Sequence, residues 1–286
     1  MTSPRAQGLS DRIRLAAAKR GEDPQRLRRG LVFQRLLARL AQHGLVLKGG
    51  YCLEVRLGDL ARTTKDIDLV GRMALARDPD DLLDALEAGL VTPGVDDGFT
   101  FRTGVPRPLR DEGTGQPAWR VPVHALVDGT PFADIKVDLV GQVEEVEGAT
   151  EVIVVSPPVT APGCGPVTVV AVDPYQHAAE KLHAYSRIYA GGRPSSRVKD
   201  LVDLVLLVDA GLLPSGERLS HRMAVVWELR DGTRPPPDLP DPPASWARDL
   251  ARLFADLESG PRTLADVRAL VANLYAAALD AEGTST

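Results

Sequence analysis

The 286-residue sequence predicts an α+β fold, in which a mixed β-sheet domain is followed by a helical C-terminal domain. Two segments, 64–70 and 132–140, alternate apolar and polar residues with the period of two that a half-buried strand requires. From residue 173 onward, helical spacing of apolar residues replaces this alternation. We therefore expect a sheet domain over residues 1–172 and a helical domain over residues 173–286.

The composition is that of an ordinary globular protein. The chain has 34 Lys and Arg against 39 Asp and Glu, a net charge of −5, and 44% apolar residues, which excludes disorder, collagen and a simple basic nucleic-acid module as descriptions of the whole chain. No apolar run approaches the roughly 18 residues of a membrane span, and no apolar stretch of a secretory signal follows the first arginines. These features predict a cytoplasmic protein with no membrane partner. Cys52 and Cys164 lie far apart and predict neither a disulfide nor a zinc site.

The first forty residues are strongly basic. They contain ten Lys and Arg and only three acidic residues. The segment 31–42 has the apolar spacing of an amphipathic helix that ends at Gly44, and we expect it to present Arg35 and Arg39 outward. The basic segment indicates either a polyanionic partner or a solvated helix face.

A strand, a pair of glycines and a helix then follow one another. Residues 45–48 predict a short strand, Gly49 and Gly50 end it, and residues 51–57 predict a helix. In the next strand, 64–70, Asp66 and Asp68 share the polar face because side chains two residues apart point to the same side.

The middle of the chain contains one more helix and several strands. Residues 78–90 predict a helix, and residues 91–131 predict one or two hairpin strands whose register the sequence does not define. In the strand at 132–140, Asp138 lies on the polar face. Further β-structure is expected at 152–155 and 167–172.

The C-terminal part begins with a clear helix start, where Asp173 is the expected N-cap and Pro174 the first helical residue. We expect this helix to continue through Tyr189, to pack against a second helix at 197–211, and to be separated from it by a loop at 191–196. The Pro-rich segment 234–243 is typical of a semi-rigid linker, and helices are expected at 244–258 and 263–281. We interpret the three tryptophans as core residues and His177 and His183 as surface or packing residues.

Three carboxylates, Asp66, Asp68 and Asp138, are expected to converge on one face of the sheet. Such a cluster is unfavourable without a cation, because neighbouring carboxylates raise each other's pKa. Mg²⁺ prefers oxygen ligands from a few carboxylates together with phosphate oxygens. The pattern therefore predicts metal-dependent phosphoryl chemistry, with the glycine pair allowing backbone amides to approach a triphosphate.

These residues also carry a family resemblance. The runs LKGGYCLEVRLGDLARTTKDIDLV (47–70), KVDLV (136–140), AEKLHAYSR (179–187) and RVKDLVDL (197–204) resemble the AbiEii/AbiGii-type nucleotidyltransferase toxins, a family that includes the mycobacterial MenT toxins and belongs to the DNA polymerase β-like nucleotidyltransferase superfamily. The similarity extends from about residue 30 to about residue 275. It implies a polymerase β-like core completed by the helical domain.

The resemblance also assigns roles to individual residues. Gly49 and Gly50 match the glycine motif of the nucleotide site, and Asp66, Asp68 and Asp138 match the metal ligands, with Mg²⁺ or Mn²⁺ as the implied cofactor. Lys181 matches the lysine that holds the triphosphate, and Asp200 matches the late acidic residue, with Asp203 as its rival. Thr64, two residues before Asp66, stands where the family carries a hydroxyl open to regulatory modification. From helical spacing alone, Arg187 is expected to add a second cation to the nucleotide site.

The implied activity is transfer of a nucleoside monophosphate from an NTP to the 3′ end of a tRNA, which blocks aminoacylation and growth. The implied partners are the tRNA acceptor end, the NTP and a cognate antitoxin, and we expect the basic segment 12–39 to hold the acceptor's phosphates. Two alternatives remain open from the sequence: a nucleotidyltransferase acting on a protein or a small molecule, and a non-catalytic regulator with the same fold.

Overall fold

The structure is a computed structural model that describes residues 3–91, 96–109, 116–189, 193–194, 197–255, 257, 260 and 262–283. The helices in this part of the chain are α1 (Pro4–Arg20), α2 (Pro24–Leu40), α3 (Gly49–Leu57), α4 (Pro79–Leu90), α5 (Pro174–Ser186), α6 (Val198–Asp209), α7 (Gly216–Asp231), α8 (Trp246–Ala255) and α9 (Leu264–Gly283). The strands are β1 (Val46–Lys48), β2 (Asp66–Val70), β3 (Phe99–Thr103), β4 (Arg107–Pro108), β5 (Ala118–Val127), β6 (Thr130–Val140), β7 (Thr150–Val155), β8 (Val167–Val172), β9 (Ile188–Tyr189) and β10 (Arg193–Pro194).

A mixed sheet forms the N-terminal part, as the sequence predicts. Its strand order is β3-β5-β6-β2-β1-β8-β7, with β4 paired to β5. Strand β2 runs parallel to β6 and antiparallel to β1, and β1 runs parallel to β8. The stretch 91–131, where one or two hairpin strands were expected, contains β3, β4 and β5, and β5 forms a long hairpin with β6 whose pairing shifts between Ala125 and Leu126.

One face of the sheet is covered by α1, α2 and α4, which share a core with the apolar side chains of β2, β5 and β6. The N-terminal helices begin at good caps, since the side chains of Ser3 and Asp23 accept hydrogen bonds from backbone amides in the first turn. Because Ile67 and Leu69 point into this core, Asp66 and Asp68 point to the opposite face of the sheet.

The prediction that Arg35 and Arg39 face outward is wrong. Both are buried, at 2% and 4% exposure, and both bind the fully buried carboxylate of Asp97. Arg39 donates to both oxygens of Asp97 (2.8 and 3.0 Å), and the backbone amide of Phe99 donates to the same group (2.8 Å). One buried carboxylate from a distant segment thus pairs with two arginines, and offsets one of their two charges, on a helix face that the local pattern assigned to solvent.

The C-terminal part is helical, and α5 packs against α6 as predicted. Helix α5 starts at the predicted cap, where Asp173 accepts a hydrogen bond from the amide of Gln176, but it ends at Ser186 rather than Tyr189. Arg187 has extended backbone geometry, and residues 188–189 form β9. Within the predicted loop at 191–196, residues 193–194 form β10, which pairs with β9, and the other positions lie outside the described residues.

Two features of this part were not predicted. Helix α7 lies between α6 and the Pro-rich segment and contributes Met223 and Trp227 to the helical core. The Pro-rich segment is docked and does not act as a linker, because Tyr275 donates to the backbone oxygen of Pro236 (2.6 Å) and Tyr185 donates to that of Pro240. Over the described ranges of the chain, no helix has both the length and the apolar character needed to cross a membrane.

Candidate active site

The strand register brings the predicted carboxylates into one row across the open face of the sheet. Residues paired across neighbouring strands run, from edge to centre, Arg107, Arg120, Asp138, Asp68 and Lys48. Asp66 lies two residues before Asp68 on β2 and faces the same side. Three carboxylates and their flanking cations therefore come from five different strands.

The glycine pair lies at the junction of β1 and α3 and makes room for these side chains. Gly49 has φ +68°, and a Cβ on it would lie 1.8 Å from Oδ2 of Asp68. A Cβ on Gly50 would lie 2.7 Å from Oγ1 of Thr64. Any side chain at either position would displace Asp68 or Thr64, which gives the two glycines a physical role beyond the turn itself.

Thr64, the predicted regulatory hydroxyl, lies at the entrance to β2. Its backbone amide donates to the carboxylate of Glu54, and its hydroxyl reaches the backbone oxygen of Asp66 (3.4 Å). The hydroxyl thus contacts the site, and its modification stays a prediction.

Asp66 and Asp68 carry negative charge that the protein leaves incompletely compensated. Burial and the nearby Asp138 raise the pKa of Asp68 to about 6, despite the opposing effect of Lys48 and Lys181. The Oδ1 atom of Asp66 is buried and has no hydrogen-bond partner among the described residues. Both observations indicate a place where a cation would be stabilised.

Arg120 of β5 lies next to Asp138 in this row, on the side away from Asp68. Its Nε and Nη2 donate to the two oxygens of Asp138 (2.7 and 2.6 Å), and Nη2 also lies 3.5 Å from Oδ2 of Asp66. Hydrogen bonding to Asp138 raises the pKa of Arg120 above its ordinary value. Arg120 is therefore a fixed cation that partly neutralises the cluster.

Asp66 and Asp68 fit a divalent metal. Mg²⁺ is commonly held by one or two carboxylates, while substrate phosphates and waters supply its other ligands. Asp66 and Asp68 are two neighbouring carboxylates, and within the described residues a buried oxygen of Asp66 has no hydrogen-bond partner. Among the described residues, no three His, Cys, Asp or Glu side chains are arranged to hold a metal ion. Asp138 is engaged by Arg120, so its role as a third ligand stays a prediction.

Lys181 lies on α5 at the centre of a buried ion network. Its Nζ is 2.6 Å from Asp203 and 3.2 Å from Asp200, both on α6. Burial alone would lower the pKa of Lys181, but the two carboxylates outweigh it and raise the pKa above the ordinary value. Lys181 is therefore held as a permanent cation opposite the sheet.

The two candidate acidic residues differ in their surroundings. Asp203 is fully buried and also binds Arg62 through two hydrogen bonds of 2.7 Å each, and these cations hold its pKa below the usual range despite burial. Asp200 pairs with Lys181 and with Arg197 (2.6 Å) and lines the cavity described next. Asp203 thus positions Lys181 from behind, and Asp200 is the one that faces the open space.

A cavity of about 840 Å³ lies between the sheet and helices α5 and α6. It is lined by the residues that the sequence analysis selected for the site, apart from Asp203, which lies behind Lys181: Gly49, Gly50, Thr64, Asp66, Asp68, Asp138, Lys181, Arg187 and Asp200. The volume is large enough for a small-molecule ligand of nucleotide size. Residues from both predicted domains thus meet at one place.

The same cavity contains charged residues that sequence reasoning missed. Lys48 pairs with Glu180 (2.7 Å), and Arg230 of α7 lies 3.8 Å from the same carboxylate. Burial opposes ionisation of Glu180, but these cations lower its pKa to about 2. The sequence shows that Lys48 directly precedes the glycine pair and that Glu180 directly precedes Lys181. It does not show that Lys48 and Glu180 pair with each other.

His177 lies one helical turn before Lys181 and also lines the cavity. Burial and the nearby Lys181 lower its pKa to about 3, and in the part of the chain that the structure describes neither ring nitrogen has a hydrogen-bond partner. It is buried, as a packing role predicts, and it presents a neutral imidazole to the cavity.

A glycine turn, paired carboxylates on adjacent strands and a lysine held by acidic residues across a nucleotide-sized cavity define a nucleotidyltransferase. The structure is similar to MenT4, the nucleotidyltransferase toxin Rv2826c from Mycobacterium tuberculosis H37Rv, with a TM-score of 0.52 and 21% identity over 88% of this chain and 82% of that chain. This similarity confirms the predicted mixed-sheet nucleotidyltransferase core with a helical C-terminal part. A putative nucleotidyltransferase from H. pylori aligns more loosely, with a TM-score of 0.40 and 15% identity over 88% of this chain and 92% of that chain.

Residues 31–273 match the family described as nucleotidyl transferase AbiEii toxin, type IV toxin–antitoxin system. The chain belongs to this AbiEii family of nucleotidyltransferase toxins. No curated protein sequence matches the chain.

Proposed function

We propose that this nucleotidyltransferase toxin uses a divalent metal to transfer a nucleoside monophosphate from an NTP to the 3′ end of a tRNA, and that a cognate antitoxin opposes it. The observation that supports the proposal best is the unbalanced carboxylate pair, Asp66 and Asp68, beside a glycine turn and across the cavity from Lys181. This arrangement favours a bound metal and a polyphosphate over a neutral ligand.

The reaction needs an attacking hydroxyl, a stabilised leaving group and a proton acceptor. The acceptor hydroxyl oxygen forms a bond to the α-phosphorus, the bond from that phosphorus to the bridging oxygen of the β-phosphate breaks, and pyrophosphate leaves with the electron pair. Asp66 and Asp68 would hold Mg²⁺ or Mn²⁺, which would supply charge neutralisation and a lowered pKa of the attacking hydroxyl.

The protein's own groups have separate tasks in this scheme. Asp138 accepts the proton of the attacking hydroxyl, and Lys181 binds the triphosphate as a point charge. Arg187 adds a second cation at the cavity wall. Asp203 and Arg62 fix Lys181 in place, since the three groups form one buried network.

Two rival acceptors stay possible for the same chemistry, a protein side chain and a small molecule. The test incubates the protein with total tRNA, Mg²⁺ and each α-labelled NTP in turn, and follows the label into RNA, protein and small-molecule fractions. We expect label on tRNA from one preferred NTP. Label confined to protein or small molecules would move the proposal to that acceptor.

Two variants make the assay specific. Asp68→Asn keeps the size of the side chain and removes its charge, and we expect no transfer. Asp81→Asn changes an exposed carboxylate on α4 in the same way and should transfer like the unmodified protein. Transfer by Asp68→Asn at the normal rate would refute the assignment of the metal-binding pair.

A further inference from the structure

The open face of the sheet continues beyond the carboxylates toward the β3–β4 edge. Three rows of cross-strand neighbours can be followed there: Arg107, Arg120 and Asp138; then Gly104, Pro122 and Lys136 with Asp66; then Arg102, His124 and Asp134. Successive rows are about 6.6 Å apart, since two residues of a strand rise by that distance. This part of the sheet leads directly out of the active site.

Three exposed cations lie on these rows, and we call them the basic sheet face: Arg102 on β3, Arg107 on β4 and Lys136 on β6. Within the ranges that the structure describes, none of the three forms an ion pair or a side-chain hydrogen bond. The carboxylate on the outermost row, Asp134, forms a hydrogen bond with Nδ1 of His124 (2.7 Å). The basic sheet face therefore carries positive charge that the fold itself does not use.

Their orientation follows from the strand alternation. On β5 and β6, Val121 and Val137 are fully buried in the core beneath the sheet, so the alternating residues Arg120 and Lys136 point to the opposite face. Arg107 is paired with Arg120 and shares its side of the sheet. The three cations thus lie on the same side of the sheet as Asp66, Asp68 and Asp138.

The basic N-terminal segment is poorly placed to hold the acceptor. Helix α2 packs on the face of the sheet opposite the carboxylates. Its residues Arg35 and Arg39 form buried ion pairs with Asp97. Arg28 donates to the backbone oxygen of Phe132, and Arg26 donates to those of Gly58 and Ala61. These four cations of segment 12–39 are therefore engaged within the fold, and the expectation that the segment holds the acceptor's phosphates stays a prediction.

We propose that the basic sheet face binds the backbone phosphates of the polynucleotide acceptor whose terminal hydroxyl enters the cavity. The inference rests on the proposed function, since it locates the acceptor of that reaction. The three cations of the basic sheet face lie on successive rows that begin beside the metal-binding pair. This spacing fits a polynucleotide, which carries one phosphate per nucleotide and ends at the reacting hydroxyl. An acidic protein segment is the competing ligand for the same charges.

The experiment compares two triple variants with an equal change of charge. Arg102→Gln, Arg107→Gln and Lys136→Gln together remove the basic sheet face, whereas a matched control removes three exposed cations of α1, Arg12→Gln, Arg14→Gln and Lys19→Gln. Binding of total tRNA is measured by fluorescence anisotropy over a series of salt concentrations. Stabilisation by Mg²⁺ and the preferred NTP in a thermal-shift assay reports the nucleotide site independently.

We expect the sheet-face variant to bind tRNA at least about tenfold more weakly, and its slope of log K against log salt to fall by about 2 to 3, as the loss of three phosphate contacts requires. The KM for tRNA should rise while kcat at saturating tRNA and the response to Mg²⁺-NTP stay unchanged. The α1 variant should resemble the unmodified protein in every measurement.

The remaining outcomes separate the inference from the proposed function. If the unmodified protein labels tRNA and the sheet-face variant binds and labels it equally well, the inference is refuted and the proposed function stands. An equal loss in both triple variants would show a general charge effect and refute the inference as well. If the unmodified protein neither binds nor labels tRNA, both proposals fail, and loss of an acidic protein partner by the sheet-face variant would then assign the face to that partner.

Discussion

Replacing Asp68 by Asn should make the metal-free protein more stable. Asp68 has a pKa raised to about 6 by burial and by Asp138, so ionising it in the folded state is unfavourable. Relative to an unfolded pKa of about 3.9, the shift of about 2 units corresponds to about 3 kcal/mol at pH 8. Because Asn keeps the shape and loses the charge, the variant should recover much of this free energy.

The dependence on pH provides the sharper test. A carboxyl whose pKa is raised by folding binds more protons in the folded state than in the unfolded state. The free energy of unfolding therefore falls as pH rises from about 4 to about 6 and stays at the lower value above pH 6. The advantage of Asp68→Asn should therefore be about 1 kcal/mol at pH 4.5 and about 3 kcal/mol at pH 8. Urea denaturation in EDTA at the two pH values measures both.

Asp203→Asn is the matched control, because it changes a buried aspartate that lies behind Lys181 and is stabilised by cations. Lys181 and Arg62 hold the pKa of Asp203 below the usual range, so its charge is stabilising above the unfolded pKa and the benefit is lost only as pH falls below about 4. We expect Asp203→Asn to lose about 3 kcal/mol at both pH values. The reasoning is refuted if the two variants change stability in the same direction, or if the effect of Asp68→Asn does not vary with pH.

Three further predictions concern the surrounding residues. Arg120→Gln should bind Mn²⁺ more tightly than the unmodified protein without NTP, measured by calorimetry, because Asp138 loses the cation that neutralises it; unchanged or weaker affinity would contradict this. Asp97→Asn should cost about 3 kcal/mol of unfolding free energy while the thermal response to Mg²⁺-NTP persists, since it breaks a buried charge network outside the cavity. Gly49→Ala should abolish transfer and lower Tm, while Gly21→Ala, with φ +72° and open space around it, should lower Tm only; equal activity of the two would refute the steric argument.

The sequence was most informative where a local pattern carries the geometry. The alternation of residues 64–70 correctly predicted that Asp66 and Asp68 share one face, and the Asp173–Pro174 start of α5 correctly placed Lys181 on a helix. The family motifs then selected residues that, apart from Asp203 behind Lys181, line one cavity. Local periodicity and short motifs thus identified both walls of the site.

What the sequence could not predict depends on contacts between distant segments. The pairing of Arg120 with Asp138 needs the register of β5 on β6, which the Gly- and Pro-rich stretch around it leaves undefined. The burial of Arg35 depends on Asp97, 62 residues further on. The buried side of helix α7 includes two arginines, Arg222 and Arg230, which donate hydrogen bonds to Gln176 and Glu145. Because charged residues interrupt its apolar spacing, the sequence pattern did not predict this helix.

The division of the cavity between the sheet and α5–α6 has a consequence for the synthesis of a toxin. The carboxylates of β2 and β6 leave the ribosome early, whereas Lys181 and the partners that hold it, Asp200 and Asp203, follow only after the whole sheet has been made. A nascent chain that has folded its sheet therefore still lacks Lys181, the residue proposed to bind the triphosphate. If Lys181 binds the triphosphate as proposed, transfer requires that translation has passed α6.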